Sequence, residues 1–261
     1  MPEDGARDLT QEGAIDPRLV AHGDAWAKKA GLRAVYGDYY RRMLTALPQG
    51  GRYLEVGAGS GHSRDFTNDM DVTRLDILPA PWVDTVGDAQ NLSFQDGTFD
   101  GIFLLDVLHH LAEPKCFFEQ AARVLKPGGR IAMIEPGITP FSWLFYNFLH
   151  EEPVDMSADP LAKQPYGETK DPFESNQAIP TLLFRRQEHR IALNEAVPGL
   201  RTVDRQWLSL FAYPMTGGFK RWSLLTGGMA ERLIRLEERL LPGLGLMMAF
   251  RLFVVMEKRA P

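Results

Sequence analysis

Residues 54–61 read Leu54-Glu55-Val56-Gly57-Ala58-Gly59-Ser60-Gly61, an apolar strand that runs directly into glycines. Glycine permits a tight turn and lets the backbone approach a ligand closely. A helix is expected after this loop, and its first N–H groups and positive dipole end would favour a negative ligand group. The loop alone is equally compatible with a dinucleotide site and with a plain tight turn of an α/β fold.

The spacing of the glycines narrows the choice of ligand. They fall at 57, 59 and 61, whereas the dinucleotide pattern needs its third glycine one place later, where this chain has His62. The strand also carries Glu55, an acid that would disfavour a pyrophosphate. A ligand with an ammonium group and no phosphate is more compatible with an acid at this position, and S-adenosylmethionine is such a ligand.

Further acids stand where later strands are expected to end. Asp76 follows the loop by about 20 residues, where an acid can accept hydrogen bonds from both ribose hydroxyls. Asp88 follows the third strand and is a candidate acceptor for an adenine amino group. Residues 99–105 form a fourth apolar strand, and the polar residues Asp106, His109 and His110 follow it. Because parallel strands end at one edge of a doubly wound sheet, these signals are expected to converge there.

Strands and helices alternate along the chain. Strands are expected at 53–56, 72–77, 83–86, 99–105, 130–134, 202–213 and 249–257, and helices at 18–47, 114–125, 141–150, 181–196 and 229–241. This alternation predicts an α/β fold with a doubly wound, mostly parallel sheet. We divide the chain into an N-terminal tail and cap helix, 1–48, and a Rossmann-like domain, 49–261.

A helical lid insertion is expected at about 136–198, where the strand rhythm stops. Its first helix carries an aromatic cluster, Phe141, Trp143, Phe145, Tyr146 and Phe148. One interpretation is a lid helix packed on the domain. The other is a pocket wall or membrane-facing patch for a lipophilic substrate.

Composition excludes several classes of protein. The net charge is −5 without a long basic run, so nucleic acid is not an expected partner. The single cysteine, Cys116, excludes an internal disulfide and favours a reducing compartment. The longest apolar stretch, 240–256, is interrupted by Pro242 and Arg251 and is read in its second part as a buried strand. We therefore expect a soluble, cytoplasmic protein of unknown oligomeric state.

Five stretches together resemble a known family. They are Glu-Val-Gly-Ala-Gly-Ser-Gly (55–61), Leu-Asp-Ile (75–77), Gly-Asp-Ala (87–89), Phe-Asp-Gly-Ile-Phe-Leu-Leu-Asp-Val-Leu-His-His-Leu (99–111) and Arg-Val-Leu-Lys-Pro-Gly-Gly-Arg (123–130). In this order they resemble the motifs of class I S-adenosylmethionine-dependent methyltransferases, in particular the small-molecule group that includes ubiquinone and menaquinone biosynthetic enzymes. The resemblance covers roughly residues 50–136 and the final strand pair.

The resemblance implies a seven-stranded sheet whose last strand is antiparallel, with S-adenosyl-L-methionine as the cofactor. It also assigns cofactor-binding residues. These are Glu55, Gly57, Ala58, Gly59 and Gly61 for the methionine part, Asp76 for the ribose, Ile77, Asp88 and Ala89 for the adenine, and Asp106 beside the transferable methyl.

The expected function is methyl transfer to a small, lipophilic acceptor, with oxygen ranked before carbon and nitrogen. One alternative is a nicotinamide-dependent oxidoreductase on a similar sheet, against which the third glycine position argues. Another is a non-catalytic nucleoside-binding module, against which the intact loop and Asp76 argue. No metal is expected, because the adjacent His109 and His110 would point about 100° apart on a helix.

A hydroxyl acceptor would need a proton acceptor, and a base works best when its pKa lies near the working pH, which favours histidine. His109 and His110 follow the fourth strand, and His150 ends the aromatic helix beside Glu151 and Glu152. We name His110 as the candidate catalytic base and His150 as its alternative. The competing interpretation is that His109 and His110 only shape the cofactor pocket.

Overall fold

The elements alternate as expected in a computed structural model that describes residues 14–149, 152–165 and 170–260. The strands are β1 (Arg52–Val56), β2 (Asp71–Asp76), β3 (Thr85–Val86), β4 (Phe99–Leu105), β5 (Leu125–Pro136), β6 (Leu200–Leu208) and β7 (Arg251–Lys258). The helices are α1 (Pro17–Lys28), α2 (Ala30–Ala46), α3 (Pro114–Val124), α4 (Pro140–Leu149), α5 (Ile179–Arg185), α6 (Gln187–Ala196), α7 (Ala212–Thr216) and α8 (Gly227–Met248). The first 13 residues of the expected N-terminal tail lie outside the described residues.

The strands of the described residues form one sheet in the order β3-β2-β1-β4-β5-β7-β6. β1 pairs in parallel with β2 and β4, and β5 in parallel with β4. β7 is antiparallel to both of its neighbours, β5 and β6. The expected mostly parallel, seven-stranded sheet with an antiparallel last strand is confirmed. Consequently β1, β2, β4 and β5 end at one edge, which is where the candidate site residues follow them.

Successive side chains of the strands point to opposite faces of the sheet and contribute to two apolar layers, one on each face. On β1, Leu54 and Val56 join a core with Phe117 and Phe118 of α3. Tyr53 points to the other face, into a core that contains most of the buried side chains of α2. Both layers are nearly inaccessible to water, so the sheet is a rigid support for the loops at its edge.

The single helix expected over 18–47 is instead two helices that meet at Lys29. Its backbone leaves the helical region, at φ −112° and ψ 88°. The Lys29 ammonium is buried and donates to the carbonyl oxygens of Gly218 and Lys220, the latter at 3.0 Å. Lys29 therefore separates the expected helix into α1 and α2.

The helix expected directly after the glycine loop is also absent from this part of the chain. Residues His62–Asp65 form a single 3₁₀ turn, closed by the Phe66 amide donating to the Ser63 carbonyl oxygen at 2.9 Å. A four-residue turn provides little of the dipole that a helix N-terminus would offer an anion.

Three later boundaries differ from those expected. The helix over 181–196 is two helices, α5 and α6, because Arg186 takes an extended conformation at φ −85° and ψ 130°. The strand over 202–213 ends at Leu208. The helix expected to end at 241 continues through Pro242 to Met248, although proline removes one hydrogen-bond donor from the helix backbone. No helix among the described residues is long and apolar enough to cross a membrane.

Candidate functional site

The glycine loop follows β1 and uses three left-handed residues, Gly57, Gly59 and Gly61, at φ 72°, 51° and 77°. A Cβ on Gly57 would lie 2.3 Å from Cγ2 of Val107, and one on Gly61 would lie 2.8 Å from the Trp82 ring. A Cβ on Gly59 would meet no atom closer than 3.9 Å. Two of these glycines are therefore required by close packing, whereas Gly59 faces open space.

The amides of this loop are largely used by the protein itself. Gly57 and Ala58 both donate to the Leu75 carbonyl oxygen, at 2.9 and 3.1 Å. Gly59 donates to the Asp76 carboxylate at 2.7 Å. A phosphate group depends on free amides at such a loop. The engaged amides and the missing helix both fit a ligand without phosphate.

Asp76 closes the loop from the end of β2. Its two carboxylate oxygens each accept one backbone amide, from Gly59 at 2.7 Å and from Leu78 at 2.9 Å. A carboxylate has about four lone-pair directions, so both oxygens retain capacity for hydroxyl donors. Burial raises the pKa of Asp76. The next residue, Ile77, is 55% exposed and presents an apolar surface beside the carboxylate. These features fit a nucleoside.

Glu55 is buried beneath the loop. Its carboxylate accepts from the Ser63 hydroxyl at 2.5 Å and lies 3.6 Å from Nε of Arg74. Burial raises the pKa of Glu55 to about 8, although the Ser63 hydrogen bond and the Arg74 charge oppose that rise. The contacts of Glu55 are thus with the turn that follows the loop and with β2.

Asp88 and Ala89 follow β3, which pairs with β2. This places them near Ile77, where the adenine is expected. The Asp88 carboxylate accepts from the Gln90 amide at 2.8 Å and from its side-chain nitrogen at 3.0 Å. Ala89 is buried, and Gln90 in turn accepts from the Glu113 amide at 2.5 Å. Asp88 therefore stabilises its own turn.

Asp106 follows β4 in a left-handed conformation, at φ 59°, that is uncommon for a residue with a side chain. Its carboxylate accepts from the Tyr36 hydroxyl at 3.2 Å and forms an ion pair with Arg251. Arg251 is 2% exposed, and its guanidinium carbon lies 3.8 Å from the centroid of the Tyr213 ring. Asp106 thus connects the site to α2 and to the first residue of β7.

His109 lies between two carboxylates. Its Nδ1 is 2.7 Å from Glu135 and its Nε2 is 3.5 Å from Glu152. Burial alone would lower the pKa of His109, but hydrogen bonds to both glutamates outweigh it and raise the pKa to about 10. The other oxygen of Glu135 accepts the amides of Val107 and Leu108, at 2.9 and 2.8 Å. This buried cluster fixes the turn after β4.

His110 has a different environment from its neighbour. It is half-buried, with Nδ1 3.4 Å from the Glu174 carbonyl oxygen and its ring 6.4 Å from that of Phe173. Burial and the positive charge of His109 lower the pKa of His110 to about 3. The alternative base, His150, lies outside the described residues.

His109, His110 and Glu152 present nitrogen and oxygen atoms within 4.8 Å of one another, a spacing compatible with a metal ion. Both nitrogens of His109 are already directed at carboxylates, with Glu135 at the nearer one. A charged imidazole between two carboxylates accounts for this arrangement without an ion.

An aromatic wall formed by His22, Trp26, His62 and Phe219 covers the turn after the glycine loop. Trp26 stacks on His62, and His22 stacks on Phe219, each with ring centroids 4.3 Å apart. Trp26 also donates through Nε1 to Asp65 at 2.9 Å. Burial lowers the pKa of His62 to about 4, so the imidazole in the wall is uncharged at neutral pH. α1 is thereby held over the site.

Two parts of this site were missed by sequence reasoning. For the aromatic wall the available signal was the spacing of His22 and Trp26, four residues apart on one helix face. For the ion pair it was Arg251 within an otherwise apolar strand, because a buried charge needs a partner. Neither signal identifies the partner, which comes from a distant segment in each case.

Comparisons with known proteins agree with this geometry. Residues 54–133 match a family described as a methyltransferase domain. A demethylmenaquinone methyltransferase from Renibacterium salmoninarum is 33% identical over 129 residues, which cover 42% of this chain and 54% of that protein. A 27-O-demethylrifamycin SV methyltransferase from Amycolatopsis mediterranei is 34% identical over 113 residues, covering 35% of this chain and 42% of that protein. The chain therefore spans about half the length of these relatives.

A solved structure shares the fold over most of the chain. It is an S-adenosylmethionine-dependent methyltransferase from Archaeoglobus fulgidus, with a TM-score of 0.53, 16% identity, and coverage of 87% of this chain and 94% of that one. At 16% identity this likeness shows the fold alone. Residues 54–133, which match the methyltransferase-domain family, contain the glycine loop, β2 and β4. The resemblance to class I S-adenosylmethionine-dependent methyltransferases is confirmed for this part of the chain.

Proposed function

We propose that this chain is an S-adenosylmethionine-dependent methyltransferase that acts on a small, lipophilic acceptor. One observation carries the proposal: the loop after β1 has its amides engaged, while the Asp76 carboxylate beside it retains acceptor capacity. That combination favours a nucleoside with hydroxyls and no phosphate. It disfavours a nicotinamide dinucleotide, whose pyrophosphate needs free amide donors.

In this proposal the ends of β2 and β3 hold the nucleoside. Asp76 accepts the two ribose hydroxyls, and Ile77 packs its exposed side chain against one face of the adenine. Ala89 lies close to the base, and Asp88 accepts from the adenine amino group through an oxygen that also bonds Gln90. Asp76 and Asp88 supply hydrogen-bond acceptors for these roles, and Ile77 supplies an exposed apolar side chain.

Glu55 and Asp106 act in this proposal mainly by positioning. Glu55 holds Ser63 and so fixes the turn after Gly57, Gly59 and Gly61. Its pKa is raised to about 8, so a nearby ligand ammonium would favour the ionised carboxylate, whereas a phosphate would not. Asp106 holds the chain between β4 and the two histidines in its left-handed conformation. The ion pair with Arg251 stabilises that conformation.

Bound at this site, S-adenosylmethionine would supply a sulfonium methyl that is already electrophilic. The protein then has to align the acceptor at about 3 Å and exclude water. We propose that the aromatic wall of His22, Trp26, His62 and Phe219 excludes water on the α1 side. On the side next to the insertion, the ion pair of His109 with Glu152 excludes water.

For a hydroxyl acceptor we retain His110 as the proposed proton acceptor. In the tautomer that donates from Nδ1 to the Glu174 carbonyl oxygen, Nε2 carries a free lone pair. A pKa of about 3 keeps this imidazole neutral at physiological pH but makes it a weak base. Its contribution is therefore expected to be small beside that of alignment.

The nature of the acceptor is inferred from the insertion and from the relatives. The relative from Renibacterium salmoninarum is named for a quinone and that from Amycolatopsis mediterranei for a rifamycin. With the aromatic side chains of α4, these names support a lipophilic acceptor. Of the two names, the second specifies an oxygen, and we propose methylation on oxygen before carbon or nitrogen. The single cysteine, Cys116, supports a reducing compartment, the cytoplasm.

The test combines binding with turnover. Calorimetry should detect S-adenosylmethionine and S-adenosylhomocysteine and should detect no NAD or NADP. Methyl-labelled S-adenosylmethionine incubated with the protein and a metabolite extract should give a labelled apolar product by mass spectrometry. Binding of NAD alone would favour the oxidoreductase, and cofactor binding with no labelled product in any extract would favour the non-catalytic module.

A further inference from the structure

Exposed apolar side chains are concentrated on one region of the molecule. Of 18 large hydrophobic side chains that are exposed among the described residues, 13 belong to α4, α8 or the segment 222–224. The largest exposures there are Phe148 at 75%, Leu224 and Leu246 at 64% and Leu149 at 63%. Scattered apolar residues need no explanation, but a concentration of this kind marks an interaction site.

On α8 the exposed apolar residues form a continuous stripe. Met229, Leu236, Leu240 and Met247 are separated by seven, four and seven residues, so they lie on one helix face. The stripe extends about 27 Å, from the helical rise of about 1.5 Å per residue. The face that packs on the domain, with Ala230 and Gly245, is turned away from it. α8 therefore has two apolar faces, of which the protein covers one.

Arginines flank this stripe on its solvent side. Arg232, Arg235 and Arg239 follow one another by three and four residues, roughly 80° around the helix from the stripe. All three are exposed, and none forms an ion pair with any residue that the structure describes. The acidic Glu238 lies farther around the helix and pairs with Arg42. The apolar stripe thus has a cationic margin.

α4 continues the apolar surface from the C-terminal end of α8. The hydroxyl of Tyr146 donates to the Phe250 carbonyl oxygen at 3.1 Å, and the Phe145 ring lies 5.1 Å from that of Phe250, just beyond α8. At the other end of α8, Phe211, Met215 and Leu225 border an open groove of about 430 Å³. The two helices and the groove form one surface next to the edge where β5 ends.

We propose that this surface, formed by α4, the segment 222–224 and the exposed stripe of α8, docks on an anionic lipid bilayer. The stripe and the α4 aromatics enter the interface while the arginines contact lipid phosphates, as expected for helices that lie in the plane of a membrane. This inference rests on the proposed function, because docking gives an enzyme with a lipophilic acceptor access to an acceptor dissolved in the bilayer.

Charge distinguishes a bilayer from a second copy of the chain. A twofold interface on α8 would bring its arginine row close to the same row of its partner, which is unfavourable without interleaved acids. An anionic membrane accepts both the apolar stripe and its cationic margin. The net charge of −5 would by itself repel such a membrane, so the attraction must be local to this surface.

The experiment is flotation of the full chain with vesicles of phosphatidylcholine alone or mixed equally with phosphatidylglycerol. Binding is expected to the mixed vesicles, with a decrease as salt rises. Replacing Arg232, Arg235 and Arg239 together by Gln should weaken partitioning about a hundredfold, at about fivefold for each cation. Leu236→Glu combined with Phe148→Ser should abolish flotation. Ile191→Glu, at a 48% exposed position on α6, is the control and should bind as the unmodified chain does.

Equal binding to both vesicle types, an effect of Ile191→Glu as large as that of the α8 variants, or no flotation would each overturn the proposal. So would a dimer in sedimentation velocity that Leu236→Glu dissociates. Calorimetry with S-adenosylhomocysteine on the same samples without vesicles separates the two proposals. Retained cofactor binding with failed flotation removes only the membrane inference, and lost cofactor binding removes the proposed function.

Discussion

Asp76 is the last residue of β2 and Asp106 follows β4 at the same edge of the sheet, yet the two acids have different partners. Among the residues that the structure describes, the hydrogen-bond partners of Asp76 are backbone amides, and these leave acceptor capacity on both oxygens. Asp106 is engaged by a tyrosine and a buried arginine. The position of an acid at a strand end therefore predicts that it lies in the site. Its role depends on which other groups reach it.

Asp76→Ala tests the ribose assignment. The variant should bind S-adenosylhomocysteine more weakly by about 1.5 to 3 kcal/mol, the range for hydrogen bonds to a charged group. Isothermal calorimetry measures this directly. Asp71→Ala, at the exposed opposite end of β2, is the matched control and should bind normally. Unchanged affinity in a folded Asp76→Ala variant would contradict the assignment.

His110→Ala tests the proposed proton acceptor. Because its pKa is lowered to about 3, the imidazole is a weak base, and kcat on a hydroxyl acceptor should fall by less than the roughly hundredfold typical of a lost acid–base group. Cofactor affinity should be retained, and His189→Ala on α6 should leave kcat unchanged. A loss of a hundredfold or more would show that His110 is a stronger base in the complex with its acceptor.

At the scale of elements, one carboxylate attaches the insertion to the sheet edge. Glu152 accepts from Ser175 at 2.6 Å and from Gln177, and it lies 3.5 Å from His109. The Asn176 amide donates to the His109 carbonyl oxygen at 2.9 Å. These contacts connect the insertion to the turn after β4. Breaking them should therefore lower turnover of the acceptor and leave β1 and β2 unchanged.

Glu152→Ala should release this attachment. We expect a loss of about 1 to 3 kcal/mol of stability, because the donors it satisfied lose their acceptor. Amides of 152–165 and 170–178 should exchange faster with solvent, and acceptor turnover should fall while S-adenosylhomocysteine affinity stays the same. Glu174→Gln changes an exposed carboxylate of the same segment and serves as the control. Loss of cofactor affinity in the folded variant would assign the insertion a role in cofactor binding.

At the scale of the whole molecule, the sheet and its edge could be predicted because they depend on local signals. Apolar runs, glycines and acids at strand ends are adjacent in the chain, and they located β1, β2 and β4 to within one residue. The contacts between Asp106 and Arg251, 145 residues apart, and between Trp26 and Asp65 could not be predicted. The break at Lys29 could not be predicted either, because it depends on the carbonyl oxygens of Gly218 and Lys220.

The stability of the whole chain should fall as the pH rises from about 7 to 9, because two buried groups act in the same direction there. The lowered pKa values of His62 and His110 act in the opposite direction, but only below the unfolded value of 6.5. The pKa of Glu55 is 4.5 in the unfolded chain and is raised to about 8 in the folded state. Folding therefore becomes less favourable as the pH rises from 4.5 to 8. The pKa of His109 is raised to about 10, and its contribution is complete below 6.5 and is lost as the pH rises toward 10.

Glu55→Gln isolates the first of these contributions. The amide can still accept the Ser63 hydroxyl, but it cannot ionise in its buried position. Thermal unfolding of the unligated protein should give similar melting temperatures for the variant and the unmodified chain near pH 5. The variant should be the more stable of the two near pH 9, and its melting temperature should decrease less between these pH values. The decrease that remains in the variant above pH 7 is assigned to His109. A variant that is less stable than the unmodified chain at pH 9 would mean that the ionised carboxylate is stabilised by Arg74 at 3.6 Å, and that burial does not raise its pKa.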